Sequence, residues 1–212
     1  MPQKEVLQDN YQFSRNQIIW GLVAVFSVYA TVAFSMQTLG IAKPKITADL
    51  NGLSLYSWSV SIPALIMALG TIIFSKFSDM YGRQVMLMIS LFASLAGTVL
   101  SAISPNFIFL IVAGTIGAMG MGAIMPLVFA VIGDLFPPSE RGKWVGLLNI
   151  PLGIFTLIGP SLGGFVVDSL HWRYLYWMSV PLIIFCLFAV PKGVPPLKNR
   201  VSSRKIDING CI

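Results

Sequence analysis

Residues 107–132 read FIFLIVAGTIGAMGMGAIMPLVFAVI, an unbroken stretch without one charged side chain. The hydrocarbon core of a bilayer is about 30 Å thick and takes about 20 residues of helix to cross, whereas a barrel strand needs only about 10. A run this long therefore reads as a membrane helix, because inside lipid each backbone N–H and C=O must find its partner within the segment. Working outward, similar runs recur at 85–104, 55–77 and 16–40 toward the N-terminus, and at 144–167 and 172–190 toward the C-terminus. The fold class that follows is an all-α membrane protein of six transmembrane helices. A short polar segment precedes it (1–15), the bundle occupies 16–190, and a polar tail follows (191–212).

Composition agrees. Hydrophobic residues make up 56% of the 212 and charged residues 10%, against roughly a quarter charged in a soluble domain. The net charge of +6 comes from 14 Lys and Arg against 8 Asp and Glu. These cations sit in the gaps between apolar runs rather than forming a dense basic face, which excludes a nucleic-acid partner. An even number of crossings puts both termini on one side. That side collects Lys4, Arg15, Lys76, Arg83, Arg141, Lys143, Lys192, Lys198, Arg200, Arg204 and Lys205, and leaves Lys43, Lys45 and Arg173 to the other. The excess assigns both termini to the cytoplasm.

Local punctuation sets the expected boundaries. Pro44 predicts that the first helix ends near Lys43, so that IAKPKITADLNGLS forms an external connection. Pro63, within the second span, predicts a bend rather than a break. SDMYGRQ reads as the turn between spans two and three, SPNF as a tight external turn, and PPSERGK as a polar connection before span five. Trp20, Trp58, Trp144, Trp172 and Trp177 fall near predicted helix ends, where amphipathic rings anchor at headgroup level.

Covalent chemistry finds no support. His171 stands in a short loop without Cys, Asp or Glu neighbours placed for a metal. Asp49, Asp79, Asp134 and Asp168 lie in loops or at helix ends, not paired in a cleft. Cys186 and Cys211 make no disulfide framework. The chain reads as a non-enzyme without cofactor or metal.

The informative residues are small or uncharged. Gly114, Gly117, Gly120 and Gly122 would let the fourth span approach another backbone, and Gly153, Gly159, Pro160, Gly163 and Gly164 would do so in the fifth. Gly159-Pro160 also marks a place where that helix can bend. Between spans two and three, Gly82 permits a tight turn and Asp79 stands four residues before Arg83, within pairing reach. Gln37 and Asn149 are the most polar side chains in or near the spans and are the candidates for substrate contact, a helix-to-helix hydrogen bond being the plainer role. Apart from Lys76 and Arg173 at their ends, the six spans lack a charged residue, the usual relay candidate in a membrane.

With these stretches in place, the chain resembles the N-terminal half of a major facilitator superfamily transporter, specifically the fourteen-span, proton-dependent multidrug-efflux branch. Residues 75–84 are similar to that superfamily's loop motif: Asp79, Gly82 and Arg83 match, while Ser75 replaces its first glycine and Met80 its first arginine. Residues 146–164 resemble the helix-five motif of antiporters, ending in GPSLGG. Gly146, Gly159, Pro160, Gly163 and Gly164 match, and Phe155 stands where another glycine is usual. IAKPKITADL, GDLFPPSERGK and HWRYLYW resemble further family stretches in the right order. Two departures concern coupling. Ser35 occupies the place of an aspartate in the first helix, and Ala113 that of an arginine in the fourth, with Gly117 matching.

The resemblance implies export of amphipathic or drug-like small molecules in exchange for protons by alternating access, in a bacterial cytoplasmic membrane. It implies that Asp79 and Arg83 stabilise one face of the cycle and that the GPSLGG bend shapes the contact between two halves. Coupling then resides in a missing C-terminal half, or transport proceeds without protons, or activity is lost. SSRKIDINGCI resembles the linker and opening of a seventh span, so the chain is expected to be a truncated half. The alternatives are a self-contained six-span protein working as a homodimer, an inactive remnant, and a membrane enzyme or scaffold.

Overall fold

A computed structural model describes residues 15–194. Six long helices follow one another: α1 (Arg15–Asp49), α2 (Tyr56–Tyr81), α3 (Arg83–Ala102), α4 (Phe107–Leu135), α5 (Pro138–Ser169) and α6 (Arg173–Gly193). A short 3-10 turn, Leu53–Leu55, leads into α2. All six helices are long and apolar enough to cross a membrane. The predicted segments 1–15 and 191–212 fall largely outside the described residues.

Several boundaries differ from the sequence reading. The first helix does not end near Lys43: it runs through Pro44 to Asp49. An interior proline costs a helix about 3 kcal/mol, but here Ala42, Ile46 and Thr47 are buried, and Ala42 and Ile46 pack with Phe107, Leu110, Trp172 and Leu175. That packing holds the last turns in register. Thr47 Oγ1 also donates to the Lys43 carbonyl at 2.8 Å. Similarly, PPSERGK is the opening of α5 rather than a connection. Pro138 occupies its first turn, where the missing N–H is no loss. Residues 136–137 alone join α4 to α5, and SDMYGRQ shrinks to a single connecting residue, Gly82. Pro63 lies within a continuous α2, and SPNF is the tight turn expected, with Asn106 Oδ1 capping α4 by accepting from Phe109 N at 2.8 Å.

α4 packs extensively on α2 and α3, α1 packs on α5 and α6, and α3 meets α6; α1 also touches α4. With lipid as solvent, apolar area drives little association, and close backbone approach does the work instead. The glycines show where. Gly117 of α4 lies against Gly97 of α3, Gly120 against Ser90 and Ser94, Gly122 against Met67 of α2, and Gly193 of α6 against Trp20 of α1.

Two apolar clusters result, one toward the end where α1 begins and α6 ends, around Val28, Leu87, Leu127 and Ile183, and one at the opposite end around Ile46, Phe107 and Trp172. Trp172 is thus buried and Trp144 stacks on Phe136 at 4.6 Å, so neither is the headgroup anchor expected. Trp20, Trp58 and Trp177 remain exposed.

Cover is uneven. Of their most apolar stretches, α1 has 56% of residues buried and α3 and α4 50%, but α5 has 17% and α2 only 11%. α2 and α5 therefore present broad unpartnered apolar faces.

Candidate functional site

At the end of the bundle where α1 begins and α6 ends, α2 gives way to α3 through Gly82, whose φ of 95° and ψ of 148° suit a residue without Cβ. The turn brings Arg83, first residue of α3, back over the last turns of α2. Its Nη1 meets Asp79 Oδ1 at 2.8 Å, as the spacing predicted, and donates to Ser78 Oγ at 3.3 Å. A third partner is invisible in local spacing: Arg83 Nε donates to Asp134 Oδ2 of α4 at 3.1 Å. The guanidinium thus bridges two carboxylates on two helices with separate arms of its planar fork. Asp79 has 68% of its side chain exposed and Asp134 35%, so water screens the first pair more than the second. Asp134 was legible only as a helix-end carboxylate, because its partner lies 51 residues away.

On the same end, Arg141 Nε donates to the Phe136 carbonyl at 3.0 Å, Gln84 Nε2 to the Pro191 carbonyl at 3.2 Å, and the Lys192 ammonium stands 5.3 Å over the Trp20 ring. At the opposite end Arg173 Nη2 donates to the Ser104 carbonyl at 2.8 Å and its guanidinium lies 4.4 Å over Trp172, tying the start of α6 to the turn between α3 and α4.

The helix-five glycines divide into two sets. A Cβ on Gly159 would stand 2.7 Å from Gln37 Cβ, and one on Gly163 would stand 2.9 Å from the Thr38 carbonyl oxygen. These two, one turn apart, make the seam of α5 against α1. Gly146 and Gly164 have nothing within 4 Å of a Cβ and face away from that seam. Pro160 lies within a continuous α5. Of the candidate contact residues, Gln37 is half-buried against Gly159. Asn149 is exposed, and its amide lies 3.4 Å from the Gly146 carbonyl and 3.5 Å from that of Val145, both on its own helix. The two do not meet, since Asn149 and Gly159 are about 15 Å apart along α5.

A cavity of roughly 170 Å³ opens nearer the other end, between α1, α2, α3, α4 and α6. Leu39, Lys43, Ile46 and Thr47 line it from α1, Thr98 and Ser101 from α3, and Tyr176 from α6. Gln37 and Asn149 are not among its lining residues. Lys43 contradicts the expectation that the spans carry no charged residue apart from Lys76 and Arg173, because α1 continues past it. Lys76, Asp79, Asp134 and Glu140 likewise lie within the ends of helices. Among the described residues, no group of three or more His, Cys, Asp or Glu is placed to hold a metal.

The profile of the Major Facilitator Superfamily matches residues 25–208. The chain is 30% identical over 187 residues to the multidrug transporter protein MdtP of Bacillus subtilis, covering 88% of this chain and 34% of that protein. It is 33% identical over 172 residues to multidrug resistance protein 3 of the same organism, covering 81% and 33%. It therefore spans about a third of the length of these relatives. Among solved structures, the proton:xylose symporter XylE superposes with a TM-score of 0.73 at 15% identity, over 84% of this chain and 45% of that one, a likeness of fold. The six apolar helices, their glycine seams and the match over nearly the whole bundle make the chain a multi-pass membrane protein that belongs to the major facilitator superfamily.

Proposed function

We propose that the chain is the N-terminal half of an alternating-access exporter of small amphipathic or drug-like compounds. The observation that carries this reading is the uneven cover of the bundle: about half of the most apolar stretch is buried in α1, α3 and α4, whereas α2 and α5, each packed mainly on one neighbour, leave most of theirs uncovered. Transporters of this architecture bind between two such repeats and rock one against the other, so the bare faces suit a second six-helix unit. The multidrug relatives favour drug-like cargo and export over uptake. Proton exchange is the coupling this branch implies, and the distribution of Lys and Arg favours cytoplasmic termini. A bacterial cytoplasmic membrane is the proposed location.

In this reading, Asp79, Gly82 and Arg83, joined by Asp134, clamp the cytoplasmic end in one state of the cycle. Gly159 and Gly163 set the α1–α5 seam around Pro160, leaving Gly146 and Gly164 for the partner unit. Gln37 and Asn149 are the proposed substrate contacts. A second copy of the chain would satisfy the same bare faces, which keeps a homodimer as the second reading.

The test begins with the mass of the native product in membranes of the source cells, detected through a loop peptide. A species about twice this size or larger supports the half-transporter. A species matching 212 residues refutes it in favour of the homodimer or a remnant, which crosslinking separates. Ethidium extrusion from energised cells, abolished by a protonophore, then tests export and coupling. Extrusion equal to that of cells lacking the gene refutes export.

A further inference from the structure

The cavity near the end of α1 contains a cation that none of the motifs above uses. Lys43 is half-buried on the wall of the cavity, one turn from both Leu39 and Thr47 on the same face of α1. Among the described residues no carboxylate stands within 4.0 Å of its ammonium, whereas Lys45, two residues on, pairs with Asp49 at 3.6 Å. An ionisable group within a membrane helix is costly and commonly marks a functional site. Its ordinary alternative is to extend along its own stem toward water.

The rest of the wall favours a ligand. Thr47 and Thr98 spend their hydroxyl protons on the carbonyls of Lys43 and Ser94. The side-chain hydroxyls of Ser101 and Tyr176 have no hydrogen-bond partner among the described residues, and both residues line the cavity. Three donors, one of them charged, thus border one space, and no acidic residue shares it. Ser59 also lines the cavity, with its hydroxyl donating to the Tyr56 carbonyl at 2.6 Å, and most of the remaining lining is apolar, including Leu39, Ile46, Leu110, Ile111 and Met121. A cavity of about 150 Å³ accommodates benzene, so roughly 170 Å³ suits one substituted ring.

We propose that this cavity binds an amphipathic anion, its carboxylate, sulfonate or phosphate head on Lys43, Ser101 and Tyr176 and its apolar body along Leu39, Ile46 and Leu110. A soluble aromatic acid and the headgroup of an anionic lipid share this chemistry. The inference rests on the transporter reading only in calling the occupant a substrate. Binding is measured without transport, so a failure of extrusion and a failure of binding are separate results.

The experiment uses the whole chain in phosphatidylcholine nanodiscs, titrated with 4-fluorobenzoate and followed by fluorine NMR. Saturable binding is expected, weakened about tenfold by Lys43→Gln, as for loss of a charged hydrogen bond. Lys43→Arg and Lys45→Gln should bind like the parent, and 4-fluorobenzylamine should not compete. Retained binding by Lys43→Arg, with unfolding midpoints equal across the variants, separates loss of the charge from loss of the fold. Repeating the titration in phosphatidylglycerol nanodiscs identifies the source: lost binding makes the lipid headgroup the occupant of the same site, and unchanged binding makes it the soluble acid. Parent-like affinity in Lys43→Gln, equal competition by the amine, or no saturable binding to the parent overturns the proposal.

Discussion

Gly163 and Gly164 are neighbours on α5 with opposite surroundings, and replacing each by alanine isolates what the α1–α5 seam requires. A Cβ on Gly163 would lie 2.9 Å from the Thr38 carbonyl oxygen and 3.2 Å from its Cα, whereas a Cβ on Gly164 meets nothing within 4 Å. The obstacle at Gly163 is backbone, so no rotamer change relieves it. The helices must part by about 0.5 Å to restore ordinary contact, an overpacking that costs about 1–3 kcal/mol. The usual helix-propensity gain of alanine over glycine largely cancels, because a membrane helix remains helical in the detergent-unfolded reference state. Gly164→Ala should therefore sit near zero, and the difference between the variants reads the seam directly. The assay uses Cys186, which is fully buried and free, as a thiol reporter in thermal unfolding, with Cys211→Ser as background. At about 2–4 °C per kcal/mol for a chain of this size, Gly163→Ala should lower the midpoint by several degrees and Gly164→Ala by almost nothing. Equal shifts for the two variants would refute the reasoning.

Three other outcomes follow from particular side chains. Ser35 Oγ is buried without a hydrogen-bond partner among the described residues, so Ser35→Ala should stabilise the chain by about 1 kcal/mol and raise the same midpoint, while Ser35→Asp should lower it; a loss of stability in Ser35→Ala would contradict the packing around α1. Asn106→Ala removes the cap of α4 and should cost about 1 kcal/mol, with Asn106→Asp close to parent, as measured by that unfolding midpoint. Asp134→Asn should destabilise more than Asp79→Asn, each by less than about 1 kcal/mol at these partly exposed positions, and the Asp79 effect should fade first as salt is added during the titration.

Six spans were legible because uninterrupted apolar length is a one-dimensional property, and lipid enforces it on each segment separately. The ends of the helices were less legible, for a reason visible at Pro44. Proline's cost is local and readable, whereas the burial of Ala42 and Ile46 that overrides it comes from Phe107 and Trp172, far along the chain. The same limit hid Lys43 inside a helix and Asp134 beside Arg83. Glycine gave the opposite difficulty. Gly146, Gly159, Gly163 and Gly164 could be singled out by type, but a residue without a side chain carries no hydropathy signal of which face meets a neighbour. Only the placement of Gln37 and Thr38 separates the seam glycines from the open ones. Asp79 and Arg83 were paired correctly because only three residues separate them, so that their closeness across the Gly82 turn needs little from the rest of the fold.

The connections at the end of the bundle where α1 begins and α6 ends leave no slack. Gly82 alone joins α2 to α3, and residues 136–137 join α4 to α5. A linker this short conveys displacement instead of absorbing it: a tilt of α5 drags the foot of α4, and α2 carries α3. Arg83 also links the α2–α3 pair to the α4–α5 pair, one arm on Asp79 and the other on Asp134. Mechanically, a displacement entering along the exposed faces of α2 or α5 passes at this end to α3 and α4, with little chain between to take it up.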